Sequence, residues 1–371
     1  MSSTKNRWGG VAAVLVGTAL VLPIHAQASS GEWQCQGGRL MVDSGNGLTD
    51  VSTVDETTWN ALGTGYSYSQ FVSAYSDASR QLCARTAAAQ TTQMRVSTTQ
   101  TASLISQRAA GTVRALRGPR QSAALASDTL TGQSAGSGGV KTGLWANYDH
   151  TRASDDNAGV DSRLNNFIVG GDRKISDKLA VGGAFSYQNT ERSLARSDAE
   201  AWTVTPYMAY LINDNLSVDA MVGYTWMNEE NPLGGRFDTR RYFAASNLSA
   251  FTTDLDRWEI GGHVGFLFAD DTVDAYGGAP QNAISFLQAK TGVEASYAVH
   301  KSAQTYFTMD YEQDLVYEAA PGTYDDAGFV GGLGARFDLS SALLGDLRYG
   351  KSFGRRNFDQ DAFTANLRMN F

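Results

Sequence analysis

The sequence predicts an all-β membrane barrel of twelve antiparallel strands, with an N-terminal helical segment inserted in its lumen. From residue 141 onward, segments of about 10 to 13 residues alternate between apolar and polar side chains, a length that suits a tilted membrane-crossing strand. The final segment places Phe363, Leu367, Met369 and Phe371 on one face and polar residues on the other. The composition, with 39 Gly, 6 Pro and a slightly polar mean hydropathy, is typical of strands whose lipid-facing and lumen-facing residues balance.

Residues 1–28 have the features of a secretory signal peptide. Two basic residues precede an apolar run over residues 11–24, and Ala26 and Ala28 supply the small-x-small motif of a cleavage site. The run is too short to cross a bilayer comfortably, and no other apolar stretch approaches the roughly 18 residues that a membrane helix needs. We therefore expect an exported chain that can cross a membrane only as strands.

Residues 29–83 form a short segment ahead of a longer helix. Apolar residues spaced four, three and four apart predict an amphipathic helix that caps or extends the downstream one; they are Phe71, Tyr75, Ala78 and Leu82. Cys35 and Cys83 are the 2 cysteines of the chain, and in an exported protein we expect them to form a disulfide. Two free or metal-binding thiols are the alternative, which the absence of a nearby histidine disfavours.

Residues 84–120 are predicted to form a basic helix. The segment carries six Arg and no acidic residue, and Gly118 and Pro119 mark its end. A twelve-strand barrel has a lumen between the filled and the open sizes, so one helix of about 10–12 Å diameter could occupy it.

The charge of the barrel is opposite to that of the helix. Residues 1–140 carry ten basic and seven acidic residues, so the net charge of −8 leaves −11 on residues 141–371. Opposite charges attract strongly in a partly desolvated tube, so we expect the helix inside the barrel. The arginines expected to hold it there are Arg108, Arg114 and Arg117. A solvated helix beside an empty barrel is the alternative.

Two motifs resemble catalytic ones but lie in the wrong context. Residues 132–136 match the nucleophile elbow of esterases, yet they fall in the Gly/Ser-rich linker 121–140, without a packed domain to hold partner residues. Residues 345–352 match the P-loop pattern, yet they fall inside a predicted strand instead of ahead of a helix. The histidines are scattered over different segments. We therefore expect no catalytic residue, no metal site and no cofactor.

The alternation defines eleven clear strands, starting near residues 141, 163, 179, 201, 215, 256, 283, 303, 327, 342 and 361. Bacterial single-chain barrels have an even number of strands, and the succession of short and long turns breaks between residues 269 and 283. We therefore predict a twelfth strand at 271–278. The predicted outer loops cover about 152–161, 191–200, 228–252, 316–326 and 354–360. A secreted β-sandwich would also alternate, but usually with shorter strands.

The order of a basic helix, a Gly/Ser-rich linker and a twelve-strand barrel ending in Phe resembles the translocator of classical autotransporters, the type V secretion proteins. The resemblance covers residues 141–371 and is carried by GLWANYDHT (143–151), NNFIVGGDRKISDKLAVGGAFSYQNTE (165–191) and LSVDAMVGYTW (216–226). It implies a protein of the outer membrane of a Gram-negative bacterium that carries or displays an N-terminal passenger. It also implies contact with outer-membrane lipid and use of the Sec pathway and the barrel-assembly machinery. We expect a monomer that binds no nucleic acid.

The region ahead of the barrel departs from this family. Only residues 29–83 remain for a passenger, where the family often has a much longer β-helix. Some members cut themselves inside the barrel, where a lumen carboxylate activates an Asn of the helix. Residues 84–120 contain no Asn, so we do not expect this cleavage.

Three hypotheses follow for the function. The leading one is a non-enzymatic translocator that displays or exports its short N-terminal segment. The second is a stand-alone channel or structural barrel with a helical plug. The third is a surface adhesin that acts through outer loops such as 228–252.

Overall fold

The computed structural model describes residues 33–36, 39–43, 48–50, 56–57, 77–116, 142–156, 159–193, 197–230, 236–255, 257–274, 280–300, 302–317, 326–340 and 342–371. Within the helix, side chains are described over residues 91–112. The described helix does not combine the length and the hydropathy that a membrane-crossing helix requires.

Three short strands and one long helix precede the barrel. The strands are β1 (Trp33–Gln36), β2 (Arg39–Asp43) and β3 (Leu48–Asp50), which pair in order as an antiparallel sheet. The helix, α1, runs from Asp77 to Leu116 without interruption, seven residues ahead of the predicted start at 84. At about 1.5 Å per residue its 40 residues span about 60 Å, twice the hydrocarbon thickness of a bilayer.

The predicted twelve-strand barrel is confirmed. The strands are β4 (Thr142–Asp155), β5 (Val160–Lys174), β6 (Leu179–Arg192), β7 (Ser197–Asn213), β8 (Leu216–Glu230), β9 (Arg236–Leu255), β10 (Trp258–Asp274), β11 (Pro280–His300), β12 (Ala303–Tyr317), β13 (Ala327–Asp338), β14 (Leu343–Phe353) and β15 (Phe358–Asn370). Each strand pairs with the next, and β15 pairs antiparallel with β4 to close the barrel. The backbone N–H of Phe371 donates to Thr142 O at 3.0 Å at this seam.

The position predicted for the twelfth strand was wrong. Residues 271–274 are the end of β10, and residues 275–278 lie outside the described residues, whereas the additional strand is β9, in the stretch predicted as the outer loop 228–252. The alternation of β9 is weak because its lipid face includes small side chains such as Ala244 and Ser246. Its large Phe243 instead faces inward, where it occupies the space beside Gly223 of β8.

The two ends of the barrel differ in their connections. At one end, only two to four residues separate consecutive strands, at 175–178, 214–215, 256–257, 301–302 and 339–342, and we call this the short-turn end. At the other end the connections are 156–159, 193–196, 231–235, 275–279, 318–326 and 354–357. These are shorter than predicted because strands such as β9 and β11 extend well past the length that a bilayer needs. Since periplasmic turns are the shorter ones in such barrels, we call the second end the outer end.

Candidate functional site: the occupied lumen

The described part of α1, residues 91–112, is buried inside the barrel. Met94, Ile105 and Ala109 are fully enclosed and belong to one apolar cluster with inward-facing residues of the barrel. The members of that cluster from the barrel are Trp145, Ile168, Ala180, Ala184, Tyr207, Ala209, Leu211, Met221, Phe243, Ala245, Leu267, Ala269 and Phe286. The insertion of the helix is therefore confirmed, and it includes an apolar contact that the polar composition of the segment had not led us to expect.

The helix lies close to strands β4–β10, and we call the part formed by β4–β9 the contact wall. Three contacts to this wall are 3.2 to 3.5 Å long, namely those of Gln93 with Met227, Thr101 with Asn166, and Ser97 with Arg241. Four further hydroxyl or amide contacts are 2.6 to 3.0 Å long. They join Thr92 Oγ1 to Asp155 Oδ2, Ser97 Oγ to Gln188 Oε1, Gln100 Nε2 to Thr151 Oγ1, and Ser106 Oγ to Asp219 Oδ1. Neutral hydroxyls and amides therefore bind most of this face of the helix.

Ser106 is at the centre of the most connected of these contacts. Its hydroxyl donates to Asp219 and accepts from Asn247 Nδ2 at 2.8 Å, while Asn247 also donates to Asp219 at 3.0 Å. The three side chains form a closed triangle between α1, β8 and β9. Such a network fixes the helix against sliding, because a shift along the axis breaks both bonds of Ser106 together, while the bond between Asn247 and Asp219 holds the two partners in place.

The opposite side of the lumen, formed by β10–β15, is looser, and we call it the cavity wall. Two cavities of about 120 and 90 Å³ separate it from the helix, and Ser103, Gln107, Lys290 and Arg348 line both of them. The polar contacts that cross this gap are longer, at 3.3 to 3.8 Å. They join Thr99 to Gln288, Ser103 to Lys290, Thr112 to Arg368, and Arg95 to Asp314.

Charged side chains of the cavity wall pair mainly with one another. Lys290 Nζ lies 3.3 Å from Asp310 Oδ2, and His263 Nε2 lies 3.1 Å from Asp310 Oδ1. Arg336 Nη1 lies 2.9 Å from Glu294 Oε1. The acids expected to attract the helix are thus largely neutralised within the barrel. They do face the lumen, as the alternation predicted.

The described arginines of the helix differ in their surroundings. Arg95 lies 3.8 Å from Asp314 and stacks over the ring of Phe358, with its guanidinium carbon 3.9 Å from the ring centre. Arg108 is fully buried over Trp145, at 5.4 Å, and its three guanidinium nitrogens have no hydrogen-bond partner within the described residues. Asp172, a buried carboxylate of the same part of the lumen, is already bound by Arg368 at 2.8 Å.

The remaining predicted site residues are placed only in part. Phe363, Leu367, Met369 and Phe371 lie on the outer face of the barrel, 43 to 60% exposed, with the first three in β15 and Phe371 just after it. Cys35 lies in β1 and Cys83 in α1, two elements that contact each other, but their side chains lie outside the described ones. The side chain of Arg114 and the residues Arg117, Ala26 and Ala28 also lie outside the described part.

The direction of α1 in the lumen follows from its contacts. Thr92 binds Asp155, which is the last residue of β4 and precedes an outer connection. Thr112 accepts a hydrogen bond from Arg368, whose neighbour across the β15–β4 seam is Trp145, near the short-turn end. The helix therefore runs from the outer end at its N-terminal side to the short-turn end, where β4 begins.

Comparison with known proteins decides the family. The model of the autotransporter β-domain matches residues 141–350, which is more than half of the chain. The chain belongs to the autotransporter β-domain family. A search of curated protein sequences finds no match. The barrel is therefore an outer-membrane translocator barrel of a Gram-negative bacterium.

Solved structures share the fold of this autotransporter barrel. The translocator domain of the autotransporter NalP from Neisseria meningitidis is 14% identical, with a TM-score of 0.51 over 63% of this chain and 89% of that one. The β-domain of the Bordetella autotransporter BrkA is 16% identical, with a TM-score of 0.53 over 62% of this chain and 100% of that one. At these identities the likeness establishes the architecture alone.

Proposed function

We propose that this barrel carries the segment ahead of α1 through the outer membrane and displays it at the cell surface, with α1 remaining in the lumen. The observation that supports this most directly is the direction of the helix. Because its N-terminal side lies at the outer end, the 40-residue helix leads towards the cell surface and connects there to the segment that contains β1–β3.

The proposal accounts for the polar contacts that hold the helix in the lumen. A segment that crosses the barrel during export must form few strong bonds with the lumen, because it has to move on. The last segment, in contrast, must remain in the lumen. Alternating hydroxyl, amide and small apolar side chains on α1 can form net bonds of about 1 kcal/mol each with the contact wall, whose sum holds the helix although each bond is weak. We include export by the Sec pathway, insertion by the barrel-assembly machinery and a monomeric state in this proposal.

The proposal contains no catalytic step. Residues 345–352 lie in β14, so their backbone hydrogen bonds belong to the strand ladder and not to a phosphate-binding loop. The loop on which the adhesin hypothesis depended, 228–252, is occupied mostly by β9. The two cavities beside the helix favour the plugged channel as the second candidate, because they leave space between α1 and the strands β10–β15.

Protease treatment of intact cells tests display. An epitope inserted at residues 44–47, between β2 and β3, should be removed from intact cells. A matched epitope in the short turn 339–342 should survive until the outer membrane is permeabilised. Survival of the first epitope in intact cells, with loss after permeabilisation, would contradict display and favour the plugged channel.

A further inference from the structure

A row of charged side chains runs from strand to strand on the lipid-facing surface of the barrel, close to the outer end. The strand register places Lys351 opposite Asp361, Asp361 opposite Arg152, Arg152 opposite Arg163, and Arg163 opposite Glu191. These residues lie on the lipid-facing parity of β14, β15, β4, β5 and β6. The signs alternate along the row except at its centre, where two arginines are direct neighbours.

The central pair is unfavourable by itself. Directly opposed side chains of neighbouring strands have Cβ atoms about 4.5–5.5 Å apart, and like charges there destabilise the sheet. The guanidinium groups of Arg152 and Arg163 are exposed, and neither forms an ion pair or a hydrogen bond with another described residue. The backbone ladder holds β4 and β5 in register over their whole length, so the two side chains cannot separate by sliding.

The residues below the pair place it at the membrane surface. The next pair on the same face, towards the membrane centre, is His150 and Asn165, with His150 Nδ1 2.9 Å from Asn165 Oδ1. The pair after that is Tyr148 and Phe167, whose side chains face outward and are 44% and 50% exposed. This change from aromatic to polar to charged side chains is typical of the passage from the acyl chains to the headgroups of a bilayer.

We propose that Arg152 and Arg163 bind the phosphate group of an outer-leaflet lipid, whose acyl chains lie against Tyr148 and Phe167. A phosphate between the two arginines restores the alternation of charge along the row. Arginine suits this role because its planar guanidinium forms paired, charge-assisted hydrogen bonds with phosphate oxygens. Next to lipid the effective dielectric constant is below that of water, which strengthens both the repulsion without phosphate and the attraction with it.

Lipid binding by the purified barrel in detergent tests the site. The probe is diphosphorylated lipid A, titrated while the bound lipids are counted by native mass spectrometry. The double variant Arg152→Gln and Arg163→Gln should bind it at least about tenfold more weakly, since two charge-assisted hydrogen bonds exceed 1.4 kcal/mol together. The matched control, Arg173→Gln with Lys178→Gln, removes two exposed charges at the short-turn end and should bind like the parent chain.

Two further arms identify the source of the phosphate. Dephosphorylated lipid A should bind as weakly to the parent chain as lipid A binds to the double variant. Excess inorganic phosphate should not displace lipid A, because it lacks the acyl chains. Equal affinity of the double variant and the parent chain, equal affinity for the dephosphorylated probe, or displacement by inorganic phosphate would each overturn the proposal.

A stability measurement separates lipid binding from a structural role of the arginines. In phosphate-free detergent, Arg163→Gln should raise the midpoint of thermal unfolding, because it removes the repulsion. In micelles with lipid A the same variant should lower the midpoint relative to the parent chain. A change of the same sign in both detergents would overturn the proposal, because a purely structural arginine does not respond to the lipid.

Discussion

The two walls of the lumen hold the helix in different ways. The contact wall, β4–β9, supplies ten of the thirteen barrel residues of the apolar cluster, and its hydrogen bonds with α1 are 2.6 to 3.5 Å long, with most of them at 3.0 Å or less. The cavity wall, β10–β15, carries many paired charges and reaches the helix across cavities, with polar contacts of 3.3 to 3.8 Å. The comparison teaches that packing and hydrogen bonds of uncharged helix side chains hold the helix, while the charges of the barrel mostly pair with one another.

The largest effect is expected from a charge placed on the side of the helix that packs in the apolar cluster. Ile105→Glu buries a carboxylate in the apolar cluster, at a cost of about 3–5 kcal/mol, which is comparable to the sum of the hydrogen bonds between the helix and the contact wall. We expect the helix to leave the lumen and the barrel to conduct in planar bilayers. The matched control, Gln107→Glu, places the same charge on the cavity side beside Lys290.

The control should conduct as little as the parent chain. Equal conductance of the two variants would show that the two sides of the helix do not differ, and the distinction between the walls would have to be given up.

The second-largest effect is expected at the two arginines of the helix whose side chains are described, and it should have opposite signs at the two positions. Arg108→Met replaces a buried guanidinium without hydrogen-bond partners by an apolar side chain that can pack on Trp145, and it should stabilise the protein by about 1–4 kcal/mol. Arg95→Met removes the contacts with Asp314 and Phe358 and should destabilise it. The free energy of unfolding in urea measures both, and a loss of stability in Arg108→Met would support the prediction from the sequence that this arginine holds the helix.

Three serines give a smaller and closely matched series. Ser97→Ala and Ser106→Ala remove hydroxyls bound to the contact wall and should each cost about 0.5–1.5 kcal/mol. Ser103→Ala removes the 3.3 Å contact with Lys290 on the cavity wall and should cost less than either. Hydrogen exchange of the amides of α1 reports the local change, and an equal loss of protection in all three variants would contradict the comparison.

The smallest effect is expected outside the lumen, in the short turn between β5 and β6. The hydrogen bond from Lys174 Nζ, at 2.9 Å, lowers the pKa of the exposed Asp177 below its ordinary value of 3.8. Because the pKa is lower in the folded state, the contribution is present above the unfolded pKa and is lost as the pH falls through the folded one. Asp177→Asn should therefore lower the unfolding midpoint slightly at neutral pH and leave it unchanged in strong acid. A larger loss in acid than at neutral pH would contradict this sign.

The sequence predicted the barrel well because alternation is a local consequence of burying one face of each strand in lipid. It failed at β9, where Ala244 and Ser246 face outward and Phe243 faces inward, so that the usual contrast between the faces is lost. The length of the outer connections was overestimated for a related reason, since strand pairing continues beyond the lipid, where the pattern no longer alternates.

The position of the helix in the lumen and its contacts there were predicted only in outline. Net charges of opposite sign correctly indicated insertion, but they could not reveal that Asp310 and Glu294 are already paired with basic residues of the barrel. Which serines and threonines meet the wall depends on how far the helix is rotated and shifted, and this is set by packing against many strands. The regular spacing of Ser, Thr and Gln along α1 was the available signal for this interface.

Thiol cross-linking of the barrel inserted in the outer membrane tests the position and the direction of the helix most directly. After Cys35 and Cys83 are replaced by Ser, a cysteine at Ser97 or Ser106 is combined with one at Gln188 or Asp219 and treated with a short bifunctional thiol reagent. The contacts of the contact wall predict cross-links only for Ser97→Cys with Gln188→Cys and for Ser106→Cys with Asp219→Cys. Cross-links only in the two exchanged combinations, or in none of the four, would contradict a helix held in this position by the contact wall.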